Sequence, residues 1–275
     1  MGILMAGLSP HPPLIIPEIG GKRINQVNQT VSSLEELSQE VKEKDPDLLI
    51  TISPHGPVFR DAISVLDQSE PTGDFGEFGH PEITFSEKSN LDFIKKLQDR
   101  SLAENIELIT LSEAKSRGFN SNRELDHGVM VPLHYLKEAG LNIPIIALTM
   151  GLLDYKDLYD FGLVIQQTLK ETGQDGVVIA SGDLSHRLNP GAPAGYNPRG
   201  EEFDEKLVNL LKEERFEEIL DIEPQLIKKA GECGLRPIVM MLGSMRGLNP
   251  SSDVKSYEGP FGVGYAVAGI YRKDD

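Results

Sequence analysis

Three histidines in this chain share one kind of position, just past a short apolar run on a turn stiffened by proline or glycine. Ile3 to Leu8 lead into Ser9-Pro-His11-Pro-Pro13, Leu48 to Ile52 lead into Ser53-Pro-His55-Gly-Pro57, and Val177 to Ala180 lead into Ser181-Gly-Asp-Leu-Ser-His186. His11 and His55 stand in the same frame, Ser-Pro-His-x-Pro. A lone histidine on such a turn is usually a surface or capping residue. Repetition argues instead for a histidine cluster, and rigid frames suit ligands that must hold a metal without moving. Two imidazoles and one carboxylate form the facial triad of non-haem Fe(II) sites, with positions left open for substrate and dioxygen. An acid must then come from elsewhere. Glu232, in Ala230-Gly-Glu-Cys-Gly-Leu-Arg-Pro237, is isolated between glycines. On spacing alone it reads equally as a ligand or as an ordinary loop glutamate.

The runs that carry these histidines read as strands buried on both faces. Further strands are expected at about 62–66, 83–85, 106–111, 142–148 and 259–271. Helices are expected at about 24–43, 90–98, 127–139, 154–171, 202–212, 224–231 and 235–243, from apolar residues at three- and four-residue spacing. Asp126 is placed as the N-cap of the helix that starts with His127, and Gly140 as its stop. Residues 68–81, rich in glycine and proline with Phe75 and Phe78, read as a long loop at a pocket rim. Residues 116–126 read as a second irregular segment. His80 is expected at the rim, and His134 in the core. Apolar strands alternating with helices predict an α/β fold, a central and mostly buried sheet flanked by helices. Loops at the carboxyl ends of such strands are where ligand sites gather. No linker divides the chain, so residues 1–275 are expected to form one domain.

Composition narrows the partners. With 27 basic and 43 acidic residues, the formal charge is −16. That argues against nucleic acid and against an anionic membrane surface. One cysteine, Cys233, excludes an intramolecular disulfide framework. No signal peptide is recognisable and no apolar run approaches the roughly 20 residues of a membrane span, so a cytoplasmic protein is expected.

Taken together, Ser-Pro-His11-Pro-Pro, Ser-Pro-His55-Gly, Leu-Asp-His127-Gly, Ser-Gly-Asp-Leu-Ser-His186, Gly-Glu232-Cys-Gly and Ser-Tyr-Glu-Gly-Pro-Phe-Gly-Val-Gly-Tyr265 resemble the class III (LigB-type) extradiol ring-cleavage dioxygenase superfamily, which includes the Memo proteins. The likeness is greatest to a bacterial branch associated with AMMECR-type domains. The resemblance implies Fe(II) bound by His11, His55 and Glu232, with His186 as acid/base and His127 near the dioxygen. It implies a small catechol-like aromatic diol and O₂ as reactants, and a homo-oligomer or a small partner subunit as possible company. A catechol must lose a proton to chelate a metal, and a histidine suits that transfer. In Memo proteins a cysteine occupies part of the site, so Cys233 beside Glu232 leaves the third ligand open. Two other functions stay open: a Memo-like metal-binding regulatory or scaffold protein, and a zinc-dependent hydrolase using the same cluster.

Overall fold

Four apolar runs form four adjacent parallel strands at the centre of a sheet, and the rest of the chain covers them. The computed structural model describes residues 1–119 and 123–273, so part of the expected irregular segment, residues 120–122, lies outside the described residues. The strands are β1 (Gly2–Ser9), β2 (Leu48–Ser53), β3 (Ile63–Val65), β4 (Thr72–Phe75), β5 (His80–Ser86), β6 (Leu108–Thr110), β7 (Ile145–Thr149), β8 (Asp175–Ser181), β9 (Pro250–Glu258) and β10 (Tyr265–Arg272). Eight of them make one sheet in the order β6-β3-β7-β2-β8-β1-β10-β9, while β4 and β5 pair separately. Strands β7, β2, β8 and β1 run parallel, β3 is antiparallel to β7, and β10 is antiparallel to both β1 and β9. The result is a single α/β domain around a mixed sheet.

The helices are α1 (Pro17–Gly20), α2 (Asn28–Glu43), α3 (Leu91–Ala103), α4 (Leu111–Ser116), α5 (His127–Glu138), α6 (Tyr155–Thr172), α7 (Arg199–Lys212), α8 (Pro224–Ala230) and α9 (Leu235–Ser244). Side chains alternate between the sheet's faces, as strand geometry requires. In β8, Val178 and Ala180 join Phe161, Val164, Ile238 and Met241 on the face covered by α6 and α9. Val177 and Ile179 join Leu34, Leu37, Val129 and Leu133 on the face covered by α2 and α5. With both faces covered, the apolar runs bury every residue of β2. Asp126 accepts the Gly128 N–H at 2.8 Å as the cap of α5, and Gly140 ends the turn beyond it at φ +89°. No helix among the described residues is long and apolar enough to cross a membrane.

Three expectations need correction. Residues 68–81 are not a single loop, because Thr72–Phe75 and His80–Ser86 form a hairpin closed by Gly79 at φ +85°. Within it Phe75 is fully buried, and only Phe78 stands at a rim. The chain ends on two paired strands, not one: β9 is an edge strand of polar sequence, and the 259–264 stretch is the turn between it and β10. His134 is not a core residue. It lies partly exposed in a groove with Glu18 of α1, Glu35 and Gln39 of α2, and Glu138.

Candidate metal centre

The loops after β1, β2 and β8 leave the same end of three neighbouring parallel strands, so their histidines converge. The ring centroids of His11 and His55 are 4.6 Å apart, and His127, the first residue of α5, stands 5.4 Å from His11 and 4.2 Å from His55. His11 is buried, at 2% exposure. Its backbone N–H donates to Asp183 Oδ1 at 3.1 Å, and its Nδ1 pairs with Ser181 Oγ at 3.0 Å. Those two contacts fix the ring and direct Nε2 to the Nε2 of His55, 2.9 Å away. At that separation one imidazole N–H donates to the other, or both nitrogens face a single cation. Burial lowers the pKa of His11 to about 3, against the opposing pull of Asp183, so its ring is neutral at physiological pH. Burial also lowers His55 and His127. Neutral imidazoles are the form that binds metals.

His186 differs from the other three. Its Nδ1–H donates to the Gly231 carbonyl at 2.6 Å, and its Nε2 lies 3.8 Å from Asp183 Oδ2. Burial alone would lower its pKa, but the Asp183 and Gly231 contacts outweigh that and raise it. Asp183 is the hub of the site. Burial pushes its carboxyl up, while His11, His186 and the His11 N–H together hold it below its ordinary value. Its Oδ2 is also 3.9 Å from His11 Nε2.

The turn that carries His186 is laced to the turn before α9. Cys233 Sγ accepts the Asp183 N–H at 3.4 Å, and the Gly234 N–H donates to the Asp183 carbonyl at 2.9 Å. The backbones approach so closely that a Cβ on Gly182 would meet the Gly234 Cα at 2.2 Å. This brings Cys233 Sγ to 3.6 Å from His11 Nε2. His11, His55 and Cys233 each offer one donor atom, and these lie within 4.8 Å of one another. Bonds of about 2.0–2.3 Å in a tetrahedral shell need donors roughly 3.3–3.7 Å apart, so the trio fits one divalent ion with little movement. Burial raises the Cys233 thiol, and Asp183 raises it further, so it stays protonated unless a cation draws the proton off.

Glu232 is not brought into that trio. Its Oε2 accepts the Leu235 N–H at 2.6 Å, in the first turn of α9. There an otherwise unpaired N–H and the positive end of the helix dipole favour a carboxylate. Burial raises the Glu232 carboxyl, and Leu235, Arg236 and His186 partly offset that. Cys233 Sγ faces His11, while Glu232 caps the start of α9 and feels the charge of Arg236.

The chain matches the family described as the catalytic LigB subunit of aromatic ring-opening dioxygenase over residues 5–268. The chain belongs to the LigB family. A protein of Clostridium acetobutylicum is 35% identical over 260 residues, covering 94% of this chain and 56% of its own length. A 4,5-DOPA dioxygenase extradiol-like protein of Schizosaccharomyces pombe is 29% identical over 154 residues, covering 55% of this chain and 48% of itself. This chain therefore spans about half the length of those two relatives. A MEMO1 family protein of Methanococcoides burtonii is 27% identical over 215 residues, covering 71% of this chain and 73% of itself. The relatives of this chain thus include a protein named as dioxygenase-like and one named for Memo.

This LigB-family site is organised around Asp183. Its position three residues before His186, at the end of a buried strand, is the signal that could have found it. Phe78, 5.3 Å from the His127 ring and 39% exposed, forms an apolar wall at the mouth.

Proposed function

We propose that this LigB-family chain is a non-haem Fe(II)-dependent extradiol ring-cleavage dioxygenase acting on a catechol-like aromatic with O₂, its ion held by His11, His55 and Cys233. One observation carries the reading. A single oxygen of the Asp183 carboxylate lies 3.9 Å from His11 Nε2 and 3.8 Å from His186 Nε2, so a metal-donor imidazole and a proton-carrying imidazole share one anion. A purely structural ion has no use for the second. Bound iron would supply the place where a deprotonated diol and dioxygen meet, turning a two-reactant encounter into an internal one. The protein's own part is then proton handling and exclusion of water. With Nδ1–H committed to the Gly231 carbonyl, His186 moves a proton at Nε2 only. The Asp183 carboxylate, held ionised, keeps the protonated form of His186 within reach at neutral pH. His127 stands beside the donor pair, and Phe78 offers the aromatic ring an apolar face.

A second reading rests on the third donor. The third donor grouped with the histidine pair is the Cys233 thiol, 3.6 Å from His11 Nε2, rather than the Glu232 carboxylate. Thiolates favour softer ions such as Zn²⁺ or Cu⁺ over iron that must handle dioxygen. A Memo-like metal-binding protein with little turnover follows from that, as does a zinc hydrolase. Anaerobic purification, metal analysis and a catechol panel under air separate the three. Oxygen uptake with ring opening supports the first, hydrolysis independent of O₂ the zinc enzyme, and a loaded but inert protein the Memo-like one.

A further inference from the structure

We propose that Asp204, on α7, is a positioning residue for His186, acting through the amide of Ser185 and held in turn by Tyr257. The inference rests on the reading of His186 as the proton carrier. Asp204 is fully buried, at 0% exposure. One carboxylate oxygen accepts the Ser185 N–H at 2.7 Å, and the other accepts the Tyr257 hydroxyl at 2.7 Å. Ser185 immediately precedes His186, so fixing its amide fixes the peptide from which the imidazole projects.

The remaining polar atoms of that turn are fixed as well. Ser185 Oγ donates to the Ala230 carbonyl at 3.0 Å, and the His186 N–H reaches the same carbonyl at 3.3 Å. The Gly264 N–H donates to the Ser185 carbonyl at 2.8 Å, and the Leu184 N–H donates to the Gly264 carbonyl at 2.8 Å. Only the Ser185 N–H relies on a side-chain carboxylate. Burying a carboxylate is expensive, and where nothing but packing is needed an apolar side chain serves better. A carboxylate with one oxygen on the turn and the other on a tyrosine has the geometry of a brace.

The brace also accounts for a part of the sequence that no metal ligand explains. Tyr257 and Gly264 both belong to the Ser256–Tyr265 run. Tyr257 anchors the far oxygen of Asp204, and Gly264 leaves room for it: a Cβ on Gly264 would stand 2.1 Å from Asp204 Oδ2. Burial pushes the Asp204 carboxyl up to about 7, with the Ser185 N–H, the Tyr257 hydroxyl and His186 opposing. The charge of His186 is therefore felt at Asp204 as well.

The test compares Asp204→Leu, Asp204→Asn and Tyr257→Phe with the parent chain. It uses imidazole NMR on isotope-labelled histidine, metal content after anaerobic loading with Fe(II), and steady-state kinetics on a catechol. Asp204→Leu should shift the His186 ring signals and lower kcat by about tenfold to a hundredfold, the usual effect of a small misplacement of a reacting group. Metal content and KM should not change. Asparagine can still accept from the Ser185 N–H, so Asp204→Asn should keep kcat within about threefold of the parent. Tyr257→Phe should shift the same signals by less, and it carries the test alone if the leucine variant does not fold. Unshifted His186 signals, or a loss of iron parallel to the loss of kcat, would overturn the proposal. Shifted signals with unchanged turnover would leave the brace standing and overturn the proton-carrier reading of His186 instead.

Discussion

Replacing Glu232 and Cys233 in turn separates two side chains that are neighbours in sequence and differ in what they face. Glu232 Oε2 accepts the Leu235 N–H at 2.6 Å in the first turn of α9. Losing a side-chain cap of this kind costs about 0.5–2 kcal/mol. The cost of burying the carboxylate offsets part of what it contributes, which puts the expected loss at the lower half of that range. In a domain of this size 1 kcal/mol moves Tm by roughly 2–4 °C. Glu232→Ala should therefore melt about 1–5 °C lower and still take up one ion per chain. Cys233→Ser should behave the other way. Its Sγ accepts the Asp183 N–H at 3.4 Å and donates weakly to the Asp183 carbonyl at 3.7 Å, contacts a hydroxyl can replace, so Tm in the metal-free state should hardly change. Removing one of three donors should weaken metal affinity by at least about 100-fold, more than the loss of a supporting hydrogen bond. Calorimetry on the metal-free chains and metal analysis after anaerobic loading with Fe(II) or Zn²⁺ read both quantities. Retention of the ion in Cys233→Ser with its loss in Glu232→Ala would refute the assignment and put Glu232 in the shell.

Two further outcomes follow from the same geometry. His186→Ala leaves the three donors untouched, so it should keep the ion and lose about 10²–10⁴-fold in kcat; wild-type turnover would make His186 structural. Asp204 is held at a raised pKa of about 7, so the folded chain binds a proton there that the unfolded chain releases near pH 4. Its contribution to stability is thus present below about pH 4 and lost as pH rises through about 7. Between pH 4 and 8 the parent should lose up to about 4 kcal/mol relative to Asp204→Asn, and denaturant titrations of the two chains that stay parallel with pH would show that Asp204 is not so perturbed.

The fold could be read where burial writes a strong pattern. Strands β1, β2, β7 and β8 are covered on both faces, so their sequences are almost uninterrupted apolar runs. β9 escaped because it is an edge strand with Ser251, Ser252, Asp253 and Lys255 along it, and its register is set by β10 rather than by burial. The β4–β5 hairpin escaped for a related reason. Of its side chains only Phe75 and Phe85 face the core firmly, and most of the rest are polar and exposed. In the site, proline and glycine frames exposed the histidines, because a ligand on a stiff turn needs those residues locally. The choice between Glu232 and Cys233 was not local. It depends on how closely Gly182 and Gly234 approach across the loop after β8, a contact between residues more than fifty positions apart. Asp204 left no trace for a similar reason, since on α7 it reads as one more acidic residue of an amphipathic helix.

In the proposed function the side-chain cluster around His11, His55 and His186 joins O₂ to an aromatic diol. Oxygen uptake measured against ring-opened product, on Fe(II)-loaded chain presented with a panel of catechols, tests it most directly. One O₂ should be consumed per ring opened, with activity that disappears when iron is removed, returns when it is restored, and falls by about 10²–10⁴-fold in His186→Ala despite full iron. Fully loaded chain that consumes no oxygen with any catechol would contradict it.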